Sequence, residues 1–243
     1  MFEAYLQGGL VSHFIEKKMR ALYYPELQSN QAKVVLDSKK NHHFINVLRM
    51  KKEQELLLLN GQGLSAISRI THIDSKSIEC EVTEFRNHQR KYHLDLALGS
   101  IKKEALELAL KQSVELGVRN IIIFQSQFSQ EKKLKEDRLS SVLISSLEQS
   151  NNPFLPKIAF TSELDFNNYK KSFVMHFIKN SDLQNINSND EYLLVVGPEG
   201  GFSQEEIENF KVKNCSFIHL PTPILRAQTA VTAGVATILS KLS

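Results

Sequence analysis

The chain has 243 residues, is 42% hydrophobic and carries a formal charge of +3, enough apolar content for one large core or two small ones. No apolar run approaches the roughly 20 residues of a membrane span, and the start lacks the basic-then-apolar order of a signal peptide. Cys80 and Cys215 stand alone, without zinc-ligand or disulfide-framework spacing, so a soluble protein of a reducing cytoplasm, with no metal, is expected.

Residues 1–18 differ in character from the rest of the chain and are read as an N-terminal extension. From Ala21 to about Tyr92 the pattern is strand-like over Ala32–Leu36, Glu55–Leu59, Leu64–Ile73 and Ser77–Phe85, with Gly61-Gln62-Gly63 as a turn. One helix, Ser38 to Arg49, interrupts them, with Phe44, Val47 and Leu48 on one face. Short strands with a single helix predict a small β-barrel over 19–92. Met1 to Tyr92 carries 14 Lys and Arg against 10 Asp and Glu, whereas His93 to Ser243 carries 16 against 17, so the N-terminal part is the basic one. Such an excess fits an anionic partner, and solvated lysines alone also produce it. His42 and His43 diverge in direction on a helix, which favours packing or contact with an anionic partner over a shared metal.

The region 93–243 alternates strands and helices: Leu94–Leu98, a helix from Lys102 to Leu116 closed by Gly117, Val118–Phe124, a helix from Arg138 to Gln149, Lys157–Phe160 and Phe173–Ile178. Asn180 to Asn189 is polar and turn-rich, hence a surface loop. This alternation predicts an α/β domain with a parallel sheet covered on both faces.

Tyr192 to Val196 reads as a strand buried on both faces, ending at Gly197-Pro198-Glu199-Gly200-Gly201. Pro198 fixes its φ and offers no N–H, and the glycines let backbone approach a ligand closely. Ser203 and Glu206 have capping-box spacing, and Ile207 and Phe210 give the apolar face of a helix running to about Lys213. Phe202 stands where a P-loop needs Lys, and no G-x-G-x-x-G occurs, so triphosphate and dinucleotide readings weaken. After a strand over Cys215–Leu220, the prolines of Pro221–Arg226 forbid regular pairing, and a helix rich in small residues starts near Ala227. Two irregular loops at the same ends of adjacent strands make a crevice for a flat, mostly uncharged ligand.

The run Gly197-Pro198-Glu199-Gly200-Gly201-Phe202-Ser203, followed by Ile224-Leu225-Arg226 and Thr229-Ala230, resembles the SPOUT methyltransferases, and among them the small-subunit (16S) ribosomal RNA uracil-N3-methyltransferase family. His42-His43 leading to Val47-Leu48-Arg49-Met50, Glu115-Leu116-Gly117-Val118 and Glu148-Gln149-Ser150 extend the resemblance over most of the chain. The family ends its last loop Leu-Arg-Thr-Glu-Thr-Ala; here Ala227 and Gln228 depart. Family arginines appear as Phe128 and Asn152.

The resemblance implies an N-terminal PUA-like RNA-binding barrel, with Arg20, Arg49, Lys51 and Lys52 as RNA contacts, and a C-terminal SPOUT domain closed by a trefoil knot. It implies S-adenosylmethionine as cofactor, bent between three loops: Met175 and His176; Val196, Gly197, Pro198, Glu199, Gly200 and Gly201; and Leu220, Thr222, Ile224 and Leu225, with Thr229 beyond. It also implies a homodimer acting on 16S ribosomal RNA or the small ribosomal subunit. Arg226 is the candidate for stabilising charge on the deprotonated uracil, with a structural ion pair or phosphate contact as its alternative; the base is unassigned. Glu199 bonds its own loop or faces substrate. Two other readings stay open: a SPOUT enzyme with another RNA target, such as a ribose hydroxyl, and a non-catalytic RNA-binding assembly factor.

Overall fold

A computed structural model describes residues 19–37, 50–74, 77–129, 136–178 and 183–242. The predicted extension 1–18 and the predicted helix from Ser38 to Arg49, with His42, His43 and Arg49, lie outside the described residues. The chain divides into two compact units between His88 and Gln89.

In the first unit, β1 (Arg20–Tyr23), β2 (Lys33–Asp37), β3 (Glu55–Leu59), β4 (Leu64–Ile73) and β5 (Ser77–Asn87) form one sheet in the order β1-β3-β4-β5-β2. Neighbours pair antiparallel except β1 and β3, which are parallel. Leu22 of β1 and Leu36 of β2 share one core with Leu58, Ile70 and Cys80, so the two edge strands curl round the same apolar interior. Register shifts at Ile67/Ser68 and Ile70/His72 mark the bulges that bend the sheet. The Asn60 side chain accepts from the N–H groups of Gln62 at 2.7 Å and Leu64 at 2.9 Å, fixing the predicted Gly61-Gln62-Gly63 turn. β1 escapes sequence reading because four residues carry no period, and its partner β3 is far along the chain.

The second unit contains β6 (His93–Gly99), α1 (Lys103–Glu115), β7 (Asn120–Phe124), α2 (Glu136–Ser150), β8 (Lys157–Thr161), β9 (Lys171–Met175), β10 (Glu191–Val196), α3 (Gln204–Val212), β11 (Ser216–Ile218) and α4 (Ala227–Leu242). The sheet is wholly parallel in the order β11-β9-β10-β6-β7-β8. β6 and β10 lie at its centre and are buried almost throughout, which explains their continuous apolar runs. Alternate residues face opposite sides: Leu193 and Val195 pack with Ile207 and Phe210 of α3, whereas Leu194 meets Gly234 of α4. α1 buries Leu106, Ala109, Leu110, Ser113 and Val114, an i, i+3, i+4 stripe, and ends at Gly117 with φ 72°. Residues just past the division belong here physically, since the Arg90 guanidinium stacks 4.4 Å from the Phe154 ring centroid and Tyr92 donates to Leu116 O at 2.6 Å.

A buried ionic cluster ties the N-terminal ends of the central strands. Asp95, 3% exposed, accepts bidentate bonds from Arg119 at 2.8 and 2.9 Å, and further bonds from Asn120 at 3.0 Å and Tyr169 at 2.9 Å. Arg119 also reaches Glu191 at 2.8 Å, and its bonds to Glu191 and Asp95 push the guanidinium pKa up. Burial, and then Asp95, pushes the Tyr169 phenol up. Both cysteines are free and buried, and burial raises each thiol to about 11, leaving them inert. Among the described residues no helix is long and apolar enough to cross a membrane.

Candidate functional site

The chain runs from β6 through β7 and β8 to one side of the sheet, then returns to build β9, β10 and β11 on the other. That reversal opens a crevice at the strand ends, where open parallel sheets place their ligands. Three segments meet there. His176, just past β9, donates its N–H to Ile218 O of β11 at 3.0 Å. After β10, Gly201 N–H closes a turn on Pro198 O at 2.9 Å, with Gly201 at φ 73°, a conformation that favours glycine. Past β11, Thr222 N–H closes a tight turn on Leu220 O at 2.8 Å.

The loop Gly197–Gly201 is held from outside as well. Ser203 caps α3 by accepting from Glu206 N at 3.2 Å, and Glu206 answers by accepting from Ser203 N at 2.8 Å. The other Glu206 oxygen accepts from Gln127 N at 3.2 Å, joining the loop after β7 to the start of α3. Phe128 of that loop lies against Gly200, where an added Cβ would sit 2.8 Å from Phe128 Cβ. Close approach also decides Gly99 and Gly234: a Cβ there would fall 2.6 Å from Pro198 Cδ and 2.8 Å from Met175 Sδ, respectively.

Together these segments enclose a cavity of about 310 Å³. Met175, His176, Val196, Gly197, Pro198 and Gly200 line it, as do Gly201, Leu220, Thr222 and Leu225, all expected at the cofactor. Phe177, Phe202, Ile218 and His219 line it too, and so do Pro223, Ala227 and Ala230. No Lys, Arg, Asp or Glu is among the lining residues. Burial, and then the charge of Lys211, lowers the His176 pKa, so its imidazole is neutral at physiological pH. Its Nδ1 accepts from Ile178 N at 3.3 Å, which leaves Nε2 as the protonated nitrogen.

Glu199, Ile224 and Thr229, also expected at the cofactor, do not line the cavity. Ile224 is 84% exposed, whereas its neighbours Pro223 and Leu225 line the cavity. Thr229 stands about 200° round the helix from Ala227, while Ala230 shares the Ala227 face. Glu199 turns outward and accepts from Lys102 N at 3.3 Å, at the start of α1, a helix without a side-chain cap of its own. It lines a second hollow of about 460 Å³ with Arg226, Gln228 and Lys102, beside Glu104, Ala105 and Leu108. The Arg226 guanidinium has no hydrogen-bond or ion-pair partner among the described residues, and Arg226 is exposed. Arg20, Lys51 and Lys52 are exposed in the first unit, Arg20 at the start of β1 and the lysines just before β3. At Asn152 the side chain is occupied structurally, donating to Val114 O at 2.8 Å and accepting from Phe154 N at 3.0 Å.

Residues 88–239 match the RNA methyltransferase domain family and residues 36–83 the RNA methyltransferase PUA domain family. Ribosomal RNA small subunit methyltransferase E 2 of Borreliella burgdorferi is 31% identical over 217 residues, spanning 84% of this chain and 89% of that protein. Ribosomal RNA small subunit methyltransferase E of Rickettsia conorii is 29% identical over 230 residues, spanning 90% and 94%. Among solved structures, a ribosomal RNA small subunit methyltransferase E from Neisseria gonorrhoeae, bound to S-adenosylmethionine, shares the fold with a TM-score of 0.82 at 24% identity, over 92% of this chain and 98% of that one. With a matching PUA domain, a matching methyltransferase domain and a crevice at the switch point of its parallel sheet, the chain belongs to the small-subunit ribosomal RNA methyltransferase E family of RNA methyltransferases.

Proposed function

We propose that the chain binds S-adenosylmethionine in the cavity between β9, β10 and β11 and transfers its methyl group to N3 of one uridine in small-subunit ribosomal RNA, in the cytoplasm. The observation that carries this reading is the uncharged lining of that cavity. Apolar walls and exposed loop backbone suit an adenine ring, and a neutral His176 avoids repelling a sulfonium. The donor supplies an activated methyl; the chain's own residues align the nucleophile and bear its charge. Arg226 is free to face the negative charge that spreads over N3 and its flanking carbonyls once the N3 proton leaves. Calorimetric titration should show one donor site per chain; folded protein that takes up no S-adenosylmethionine contradicts the proposal.

The two units divide the work. Lys51 and Lys52 grip RNA phosphates, while the second unit receives one exposed uridine. Replacing both lysines by alanine should weaken RNA binding and reduce the salt slope by about 1–2, with donor affinity unchanged. Arg226→Ala should keep RNA affinity and lower the single-turnover rate about 100-fold. Lost RNA affinity with the rate retained at saturating RNA makes Arg226 a binding residue instead.

The last segment threads as a trefoil knot in our reading, because the chain leaves edge strand β11 and returns to pack α4 against α1 and β10. The protein acts as a homodimer through α1 and α4. Gly234 packs within the subunit, but Ala233 and Ala236 remain accessible on α4, which already touches α1. Light scattering at micromolar concentration should give twice the chain mass; a monomer with full activity contradicts this.

A further inference from the structure

We infer that the hollow lined by Glu199, Arg226 and Gln228 is the pocket for the acceptor base, and that Glu199 is the group that takes the N3 proton. The inference rests on the uridine-N3 reading above and deepens it.

Two short segments are each shared between the cavity and this hollow. Pro198 and Gly200 line the cavity while Glu199 between them lines the hollow; Leu225 and Ala227 line the cavity while Arg226 and Gln228 line the hollow. Donor and acceptor sites are thereby set on two sides of the same backbone, a few ångströms of chain apart. The hollow's polar groups fit one pyrimidine. The edge of uracil presents acceptor, donor, acceptor. Arg226 is a donor only, ionised Glu199 an acceptor only, and Gln228 offers an N–H₂ donor, so the three complement that edge. Cytosine presents an amino donor and an unprotonated N3, which leaves Glu199 facing an acceptor. Ala105 and Leu108 supply an apolar surface for the ring.

Glu199 is also held in place. One carboxylate oxygen accepts from Lys102 N at 3.3 Å, and the other has no partner among the described residues. Gln228, an amide, cannot serve as the base. In the step, the N3–H bond breaks and its proton passes to the free Glu199 oxygen. The N3 electron pair forms the bond to the methyl carbon as the carbon–sulfur bond breaks, its pair remaining on sulfur as a neutral thioether. Arg226 balances the charge on the carbonyls during transfer.

The test is single-turnover methylation of small-subunit RNA carrying uridine or 5-fluorouridine at the target, with calorimetry of S-adenosylmethionine as the control for folding. Glu199→Gln should bind the donor as the unmodified protein does and react about 100-fold more slowly on uridine RNA. The deficit should shrink on 5-fluorouridine RNA, whose N3 is more acidic, and as pH rises, because substrate that ionises unaided needs no base. A Glu199→Gln variant with an unchanged rate overturns the inference alone. So does one whose deficit is equal on both RNAs, or whose donor affinity falls with its rate. A comparable loss in Glu104→Gln, with Glu199→Gln unaffected, moves the proton to Glu104 and overturns it as well. Methylation by the unmodified protein at a ribose hydroxyl overturns the uridine-N3 reading and this inference with it.

Discussion

Gly200→Val is expected to weaken S-adenosylmethionine binding about 100-fold, because overpacking at this point costs about 3 kcal/mol and each tenfold in affinity is about 1.4 kcal/mol. The Cβ alone is enough: it would fall 2.8 Å from Phe128 Cβ, nearer than such atoms approach. Phe128 cannot simply retreat, since its loop is tied through Gln127 N–H to Glu206, and Glu206 is engaged in the α3 capping box. The loop Pro198–Gly201 must therefore shift, and its backbone is a wall of the cavity. Phe128→Ala retains the offending Cβ and should not restore binding to Gly200→Val, whereas Phe128→Gly should restore part of it. Donor affinity unchanged in Gly200→Val means that the loop does not form the donor site.

The largest stability effect is expected at Asp95. Asp95→Ala leaves the part-buried Arg119 with Glu191 as its only carboxylate partner among the described residues and strips a partner from Asn120 and Tyr169. Breaking a buried charge network in this way costs about 3–5 kcal/mol. Chemical denaturation should show the second unit unfolding at lower denaturant with an unchanged slope, and the first unit unaffected. The cluster lies at the N-terminal strand ends, away from the cavity, so donor affinity of the folded variant should be preserved. A loss below about 1 kcal/mol contradicts the assigned role.

Local chemistry was the legible part of this fold. The Ser203–Glu206 capping box, the Gly117 stop and the Gly61-Gln62-Gly63 turn each depend on residues within four positions of one another, and each stands as read. The continuous apolar run of β10 likewise announced a strand covered on both faces. Contacts between distant segments left no such mark. Phe177, Phe202 and Ile218 line the cavity only because three strand ends converge, although Phe202 directly after Gly201 was a usable signal. Helical spacing could have preferred the Ala227 and Ala230 pair over Thr229. Nothing local distinguished Glu199 from its glycine and proline neighbours; its direction is set by Lys102, 97 positions earlier.

Mass spectrometry of small-subunit ribosomal RNA from cells with and without this protein reads the methylated position itself. One uridine is expected to carry a methyl group on N3 when the protein is present and none at that position when it is absent, with the mark restored by the unmodified chain and not by Arg226→Ala. Identical RNA from both cells, or a protein-dependent methyl on a ribose or another base, contradicts this expectation.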